Sequence, residues 1–368
     1  MPGQAQDWLT RIRELPLAAP LRIMNVCGGH ERSISMAGLR TLLPPEIRLI
    51  PGPGCPVCVC PEEDIHQAID WAMHQDVIVA SFGDMLRVPA NVARGEVRSL
   101  AEARAAGASV HAIASPQDAL RIARENPQRK LVFHAVGFET TMAPIAAMIV
   151  EGLPPNLLLL NSGRLTWPAV AMLLESPDAG EEAGLDALIA PGHVATVMGP
   201  AEWDFVPTRH GIPTAIAGFT AESLLAAIHS VLEQSRTGQA ALENCYGAAV
   251  RAGGNPLARR LLDTAFSVVD APWRGIGTIA RSGYALKDEF AAHDARLHLP
   301  ATAGGRKAGE MPAGCDCARV VLGRISPTGC RLYGSACRPA SPVGPCMVSD
   351  EGACRIWWAS GVRAPSAG

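Results

Sequence analysis

The sequence predicts an α/β protein built on parallel sheets and closed by a short, irregular, cysteine-rich segment. Three observations carry that reading. Short apolar runs alternate with helix-like stretches over the first two-thirds of the chain, the pattern of parallel strands covered by helices. Glycines, cysteines, histidines and carboxylates gather directly after those runs, where open α/β sheets bind their ligands. The 11 cysteines are grouped near the front and crowded at the end, with Cys245 alone between them.

Taken in order, the runs Leu21–Val26, Ile47–Ile50, Val77–Ser81, Ser109–Ala114, Leu131–Val136, Leu157–Leu160, Ala187–Ala190 and Thr214–Ala217 predict strands. Ser115-Pro116-Gln117-Asp118 predicts a helix start: a Ser N-cap, Pro at the first helical position and an acid in the first turn. Thr220 predicts another, over Ala221 to Leu232. The strands fit one large sheet or two smaller βαβ units equally well. From Ala271 the pattern loosens. Trp273-Arg274-Gly275-Ile276-Gly277 opens a less regular stretch, Ala301–Gly309 reads as a linker, and the residues after Arg363 read as a fraying tail.

Composition excludes several classes. With 48% hydrophobic and 18% charged residues the chain is not disordered, and a net charge of -3 gives no footprint for nucleic acid or a membrane surface. No apolar run reaches the roughly 20 residues that span a bilayer. Met1 to Arg13 is polar and carries both signs of charge, unlike a secretory signal. The expected location is the cytoplasm, where clustered cysteines point to metal or redox work rather than structural disulfides.

The run Cys330-x6-Cys337-x8-Cys346-x7-Cys354 lies among prolines and glycines that let the chain turn back. Paired C-x2-C zinc knuckles are absent, and wide uneven spacings suit an iron–sulfur cube. Cluster, zinc site and free or bridged thiols all stay open on spacing alone. Cys55-Pro56-Val57-Cys58 follows Gly52-Pro53-Gly54, a tight entry that holds both sulfurs in one loop. It reads as a redox pair, half a metal site or two inert thiols; as a redox pair it is expected to form an exposed, easily reduced disulfide. In Cys27-Gly28-Gly29-His30 the glycines permit close approach, and His30 could lower the thiol pKa or move a proton. A buried thiol beside a solvated histidine is the plain alternative. Glu139, in Gly137-Phe138-Glu139-Thr140-Thr141, is costly after an apolar strand unless it is paired or used, although a helix dipole would also favour it. Asp84 and Arg87 could pair, and His193 could be a loop histidine. Cys60, Cys245, Cys315 and Cys317 receive no role. No Walker or G-x-G-x-x-G motif supports nucleotide use.

In order and spacing these motifs resemble one family, the hydrogenase maturation proteins of the HypD type. The segments named above carry the resemblance, with Phe82-Gly83-Asp84-Met85-Leu86-Arg87-Val88-Pro89, Ala190-Pro191-Gly192-His193, Pro345-Cys346-Met347-Val348-Ser349 and Glu351-Gly352-Ala353-Cys354. The resemblance implies two Rossmann-like α/β domains, over 1–125 and 126–265, and a small C-terminal [4Fe–4S] domain over 266–368. It implies that Cys330, Cys337, Cys346 and Cys354 hold the cluster and that Cys55 and Cys58 are a redox-active pair. It also implies that Cys27 helps hold an iron that transiently carries CN and CO; the expected catalytic residues are Cys27, His30, Cys55, Cys58 and Glu139. The implied partners are a HypC-type chaperone, a HypE-type cyanide donor and, indirectly, the hydrogenase large subunit. The sequence departs from the family pattern at Glu31-Arg32, Cys60, Gly163 and Trp167, and Asn91–Val97 reads as a small insertion. The rival reading, from another class, is a thiol–disulfide reductase or electron carrier using a [4Fe–4S] cluster and the C-x-x-C pair.

Overall fold

The computed structural model describes residues 2–93, 95–176, 184–301 and 311–363. The expected linker beyond Ala301 and the expected tail after Arg363 lie outside them. All of the expected strands form, and three more join them. In chain order they are β1 (Leu21–Asn25), β2 (Ile47–Pro51), β3 (Val77–Phe82), β4 (Val110–Ile113), β5 (Lys130–Gly137), β6 (Leu157–Gly163), β7 (Ala187–Pro191), β8 (Thr214–Ala217), β9 (Leu242–Asn244), β10 (Phe266–Trp273) and β11 (Gly277–Leu286). β9 gives no sequence signal because it is three residues long and none of them is buried. β10 and β11 make an antiparallel hairpin, irregular between Val269 and Ala271, and the Trp273–Gly277 motif is its turn.

Two fully parallel sheets carry the fold, in the orders β2-β1-β7-β8-β9 and β4-β3-β5-β6. Every residue of β6 and β7 is buried, as expected of strands covered on both faces. Sheet membership does not follow chain order. β1 and β2 open the first sheet, the chain leaves to build all of the second, and β7 to β9 then complete the first. A division at 125/126 therefore falls inside the second sheet, between β4 and β5. Apolar runs fix where strands lie; which strands pair depends on distant partners.

The helix starts follow local chemistry. The Asp118 carboxylate accepts the N–H groups of Ala114 and Ser115, both at 3.0 Å, ahead of the helix Pro116–Glu125. Thr220 Oγ1 accepts Ser223 N–H at 3.2 Å and opens the helix Ala221–Thr237. In each sheet the strand order reverses once, beside β1 and beside β3, and ligands bind at such switch points. Cys27 follows β1; Gly83-Asp84 follows β3. The C-terminal segment reaches both ends. Asp350 N–H donates to the Asp84 carboxylate at 3.0 Å, Arg87 donates to Val348 O at 3.4 Å, and Trp357 Nε1 donates to Glu31 at 2.7 Å. Asp84 and Arg87 thus dock the C-terminus instead of pairing with each other. Among the described residues no helix is long and apolar enough to cross a membrane.

Candidate functional site

Cys27 stands two residues after β1, at the N-cap of the helix Gly28–Met36. The backbone N–H groups of Gly29 and His30 face its sulfur and favour the thiolate, but burial, aided by the charge of Glu351, pushes the thiol up to about 12. The β2 exit loop lies against it, with Gly28 N–H donating to Gly54 O at 3.0 Å. The approach is so close that a β-carbon on Gly54 would stand 2.4 Å from the Cys27 nitrogen. His30 is fully buried, and its Nε2–H donates to Ala217 O at 3.0 Å. Its ring packs on Phe219, at 4.7 Å between centroids, and burial lowers its pKa to about 4. The neutral imidazole therefore faces β8, and its Nδ1 has no partner.

Cys55 and Cys58 form a disulfide. Cys55 also caps the short helix Pro56–Val59, its sulfur accepting Cys58 N–H at 3.2 Å. The bond is not exposed as expected: the two residues are only 4% and 2% accessible. Their cover comes from the far end of the chain. Cys27, Gly54, Cys55, Cys58, Cys346 and Glu351 line one crevice of about 10 Å³, barely the size of a water molecule.

Behind that crevice lie six free cysteines: Cys315, Cys317, Cys330, Cys337, Cys346 and Cys354. All but Cys315 are buried. Cys315 Sγ stands 3.4 Å from Cys317 Sγ, and the Cys317 and Cys354 thiols lie close enough to Cys346 to stabilise its thiolate. Cys354 N–H also donates to Cys346 Sγ, at 3.3 Å. These contacts hold Cys346 well below the usual thiol range despite burial. Cys330 and Cys337 feel the charges of Cys315 and Cys317. Gly344 has no room for a side chain, since a β-carbon would lie 2.5 Å from both the Cys315 and Cys317 sulfurs. Cys315 and Cys317 carried no expected role; their C-x-C spacing just ahead of Cys330 was the available signal. Among the described residues no three His, Cys, Asp or Glu side chains converge as a single metal ion requires. The donor set is soft sulfur, desolvated and held by turns, which fits an iron–sulfur cluster better than a hard cation.

Comparison with known proteins points to one family. The family model named HypD, described as the hydrogenase formation hypA family, matches residues 4–361. The chain belongs to the HypD family. It is 41% identical to the hydrogenase maturation factor HypD of Azotobacter vinelandii over 348 residues, covering 92% of this chain and 89% of that protein. It is 38% identical to the HypD of Escherichia coli K12 over 348 residues, with the same coverage of 92% and 89%. A putative hydrogenase expression/formation protein of Methanocaldococcus jannaschii is 37% identical over 341 residues, 92% of this chain and 91% of that one.

Other residues of this HypD-family chain sit apart from the crevice. Glu139 is fully buried at the head of the helix Glu139–Glu151. Its two oxygens accept the N–H and O–H of Thr166, both at 2.7 Å, and burial pushes its carboxyl up to about 6. Its charge acts on Glu202, raised to about 8 chiefly by burial, and on Tyr284. It is not a crevice residue, so the structure does not bring it to the cysteines. Cys60 belongs to another buried network. Its sulfur is 3.7 Å from His134 Nε2, which is 3.3 Å from Ser162 Oγ; Ser162 donates to Asp64 at 2.6 Å, and Arg296 pairs with Asp64 at 2.7 Å. Arg274, in the hairpin turn, is 1% exposed and donates to Pro89 O at 2.9 Å. Among the described residues its Nε and Nη1 have no hydrogen-bond partner. Its charge faces the Glu62 carboxylate first and the sulfurs of Cys317, Cys60 and Cys315 after it. An arginine inside an otherwise apolar, glycine-rich motif was the signal for it.

Proposed function

We propose that this chain is a scaffold on which the Fe(CN)2CO unit of [NiFe]-hydrogenase is put together, working with a HypC-type chaperone and a HypE-type cyanide donor. One observation carries the reading: Cys27, the Cys55–Cys58 pair and Cys346 line a single crevice. Cys27 would hold the cargo iron, because cyanide and CO favour low-spin ferrous iron and a soft thiolate retains it until transfer. The dithiol form of Cys55 and Cys58 releases two electrons and two protons as it closes to the disulfide, enough to return two ferric cargo irons to the ferrous state. Cys330, Cys337, Cys346 and Cys354 would hold a [4Fe–4S] cluster, with Cys315 and Cys317 packed beside them. When bound, that cluster supplies one electron at a time.

The burial of the disulfide argues against a general thiol–disulfide reductase, whose partner protein must reach the bond. Infrared spectroscopy of the chain isolated with its partners tests both. Fe–CN and Fe–CO stretching bands are the expected result. Their absence from iron-replete preparations, together with turnover of a disulfide-bonded protein, would replace the scaffold reading with the reductase one.

A further inference from the structure

We infer that the seam between the edge of the first sheet and the C-terminal segment binds the phosphoryl group of a small molecule. A cavity of about 420 Å³ opens there, within the size range of small-molecule sites. Arg22, Arg48 and Arg324 line it, with Ser326 and Trp357, and no aspartate or glutamate does.

Its construction is costly without an anion. Arg22 and Arg48 are register partners on the adjacent parallel strands β1 and β2. Their side chains leave the same face side by side, and like charges so placed repel. Arg324 adds a third cation from the loop after the helix Cys317–Val321. None of the three is in an ion pair among the described residues. Arg22 Nη2 reaches Gly323 O at 3.4 Å, but Arg22 Nη1 and Arg324 Nε are buried with no partner. Buried N–H donors are almost always satisfied. A phosphoryl group seated against the accessible nitrogens of the three forks supplies the compensating charge, since guanidinium forks match its oxygens. Three cations suit a dianion better than a single carboxylate. Trp357, held by Glu31 at 2.7 Å and flanked by Arg40 at 4.9 Å, gives a flat wall for the rest of the ligand. Pro51 lines both this cavity and the cysteine crevice, so the two sites share a wall.

The test is equilibrium dialysis of the full-length chain with labelled inorganic phosphate at ionic strength fixed by chloride. Pyrophosphate, a sugar phosphate and AMP then compete. One saturable site is expected, weakened at least about tenfold in Arg48→Gln and in Arg324→Gln. Neither residue is fully buried, and melting of Arg48→Gln should not fall, because a like-charge contact is relieved. The tightest competitor separates free phosphate from a phosphorylated metabolite. The inference is overturned if none of the four probes binds saturably, or if binding survives both substitutions.

Discussion

Gly54→Ala tests whether the β1 and β2 exit loops must touch. The added β-carbon would lie 2.4 Å from the Cys27 nitrogen and 2.5 Å from its Cα, both backbone atoms that cannot rotate away. Reaching ordinary contact requires the loops to part by about 1 Å. Overpacking against a rigid neighbour costs about 1–3 kcal/mol. Weakening the 3.0 Å bond from Gly28 N–H to Gly54 O adds about 1 kcal/mol. Gly247→Ala is the control, since nothing lies within 4 Å of the β-carbon it would gain. Circular-dichroism melting should place Gly54→Ala a few degrees below both the parent and the control. Parting the loops should also admit more solvent to the half-buried Cys27, whose thiol is held near 12 largely by burial. Each unit of pKa regained raises the thiolate fraction about tenfold and, because a less basic thiolate is a weaker nucleophile, the rate of alkylation by iodoacetamide about threefold, read by mass spectrometry on the Cys27 peptide. If Gly54→Ala melts with the control and Cys27 alkylates at the parent rate, the crevice is not held closed by this contact.

Three further outcomes are expected. Anaerobic iron and acid-labile sulfide analysis should give about four of each per chain, and stoichiometric zinc without sulfide would remove the cluster. Cys27→Ala should lose the Fe–CN infrared bands while keeping that iron and sulfide; retention of the bands would take Cys27 out of iron binding. Glu202 is raised from 4.5 to about 8, so the folded state binds more protons than the unfolded one across that window, and its contribution to stability falls as pH rises through it. Glu202→Gln should therefore stabilise by about 1 kcal/mol or more at pH 8 and not below pH 4.5; parallel melting-temperature profiles for parent and variant would refute the buried charge.

Local signals were readable in the sequence, and pairings made at a distance were not. Leu157–Leu160 announces a buried strand by composition alone. Nothing near Ile23 says that β1 will pair with β2 on one side and with β7 on the other. Cys55-Pro56-Val57-Cys58 was legible as a possible redox pair from its spacing. Its burial was not, because Val320, Val321 and Cys346 supply the cover. Glu139 was legible as an expensive carboxylate, whereas the Thr166 that satisfies both its oxygens belongs to the turn after β6. The position of His30 beside Cys27 in sequence suggested shared chemistry, yet its ring turns to Ala217.

The detour of the chain through the second sheet sets an order of assembly. β3 to β6 are contiguous and can close as soon as they are synthesised, while β1 and β2 wait for β7 to cover the open edge of β1. Cys346, Glu351 and Ala353, which roof the crevice, arrive last of its lining residues. A nascent chain therefore keeps Cys55 and Cys58 accessible until its final residues fold, and only then shuts them in beside a half-buried Cys27. Metal loading and thiol oxidation have their freest access during that interval, and a chain truncated before Cys346 would never leave it.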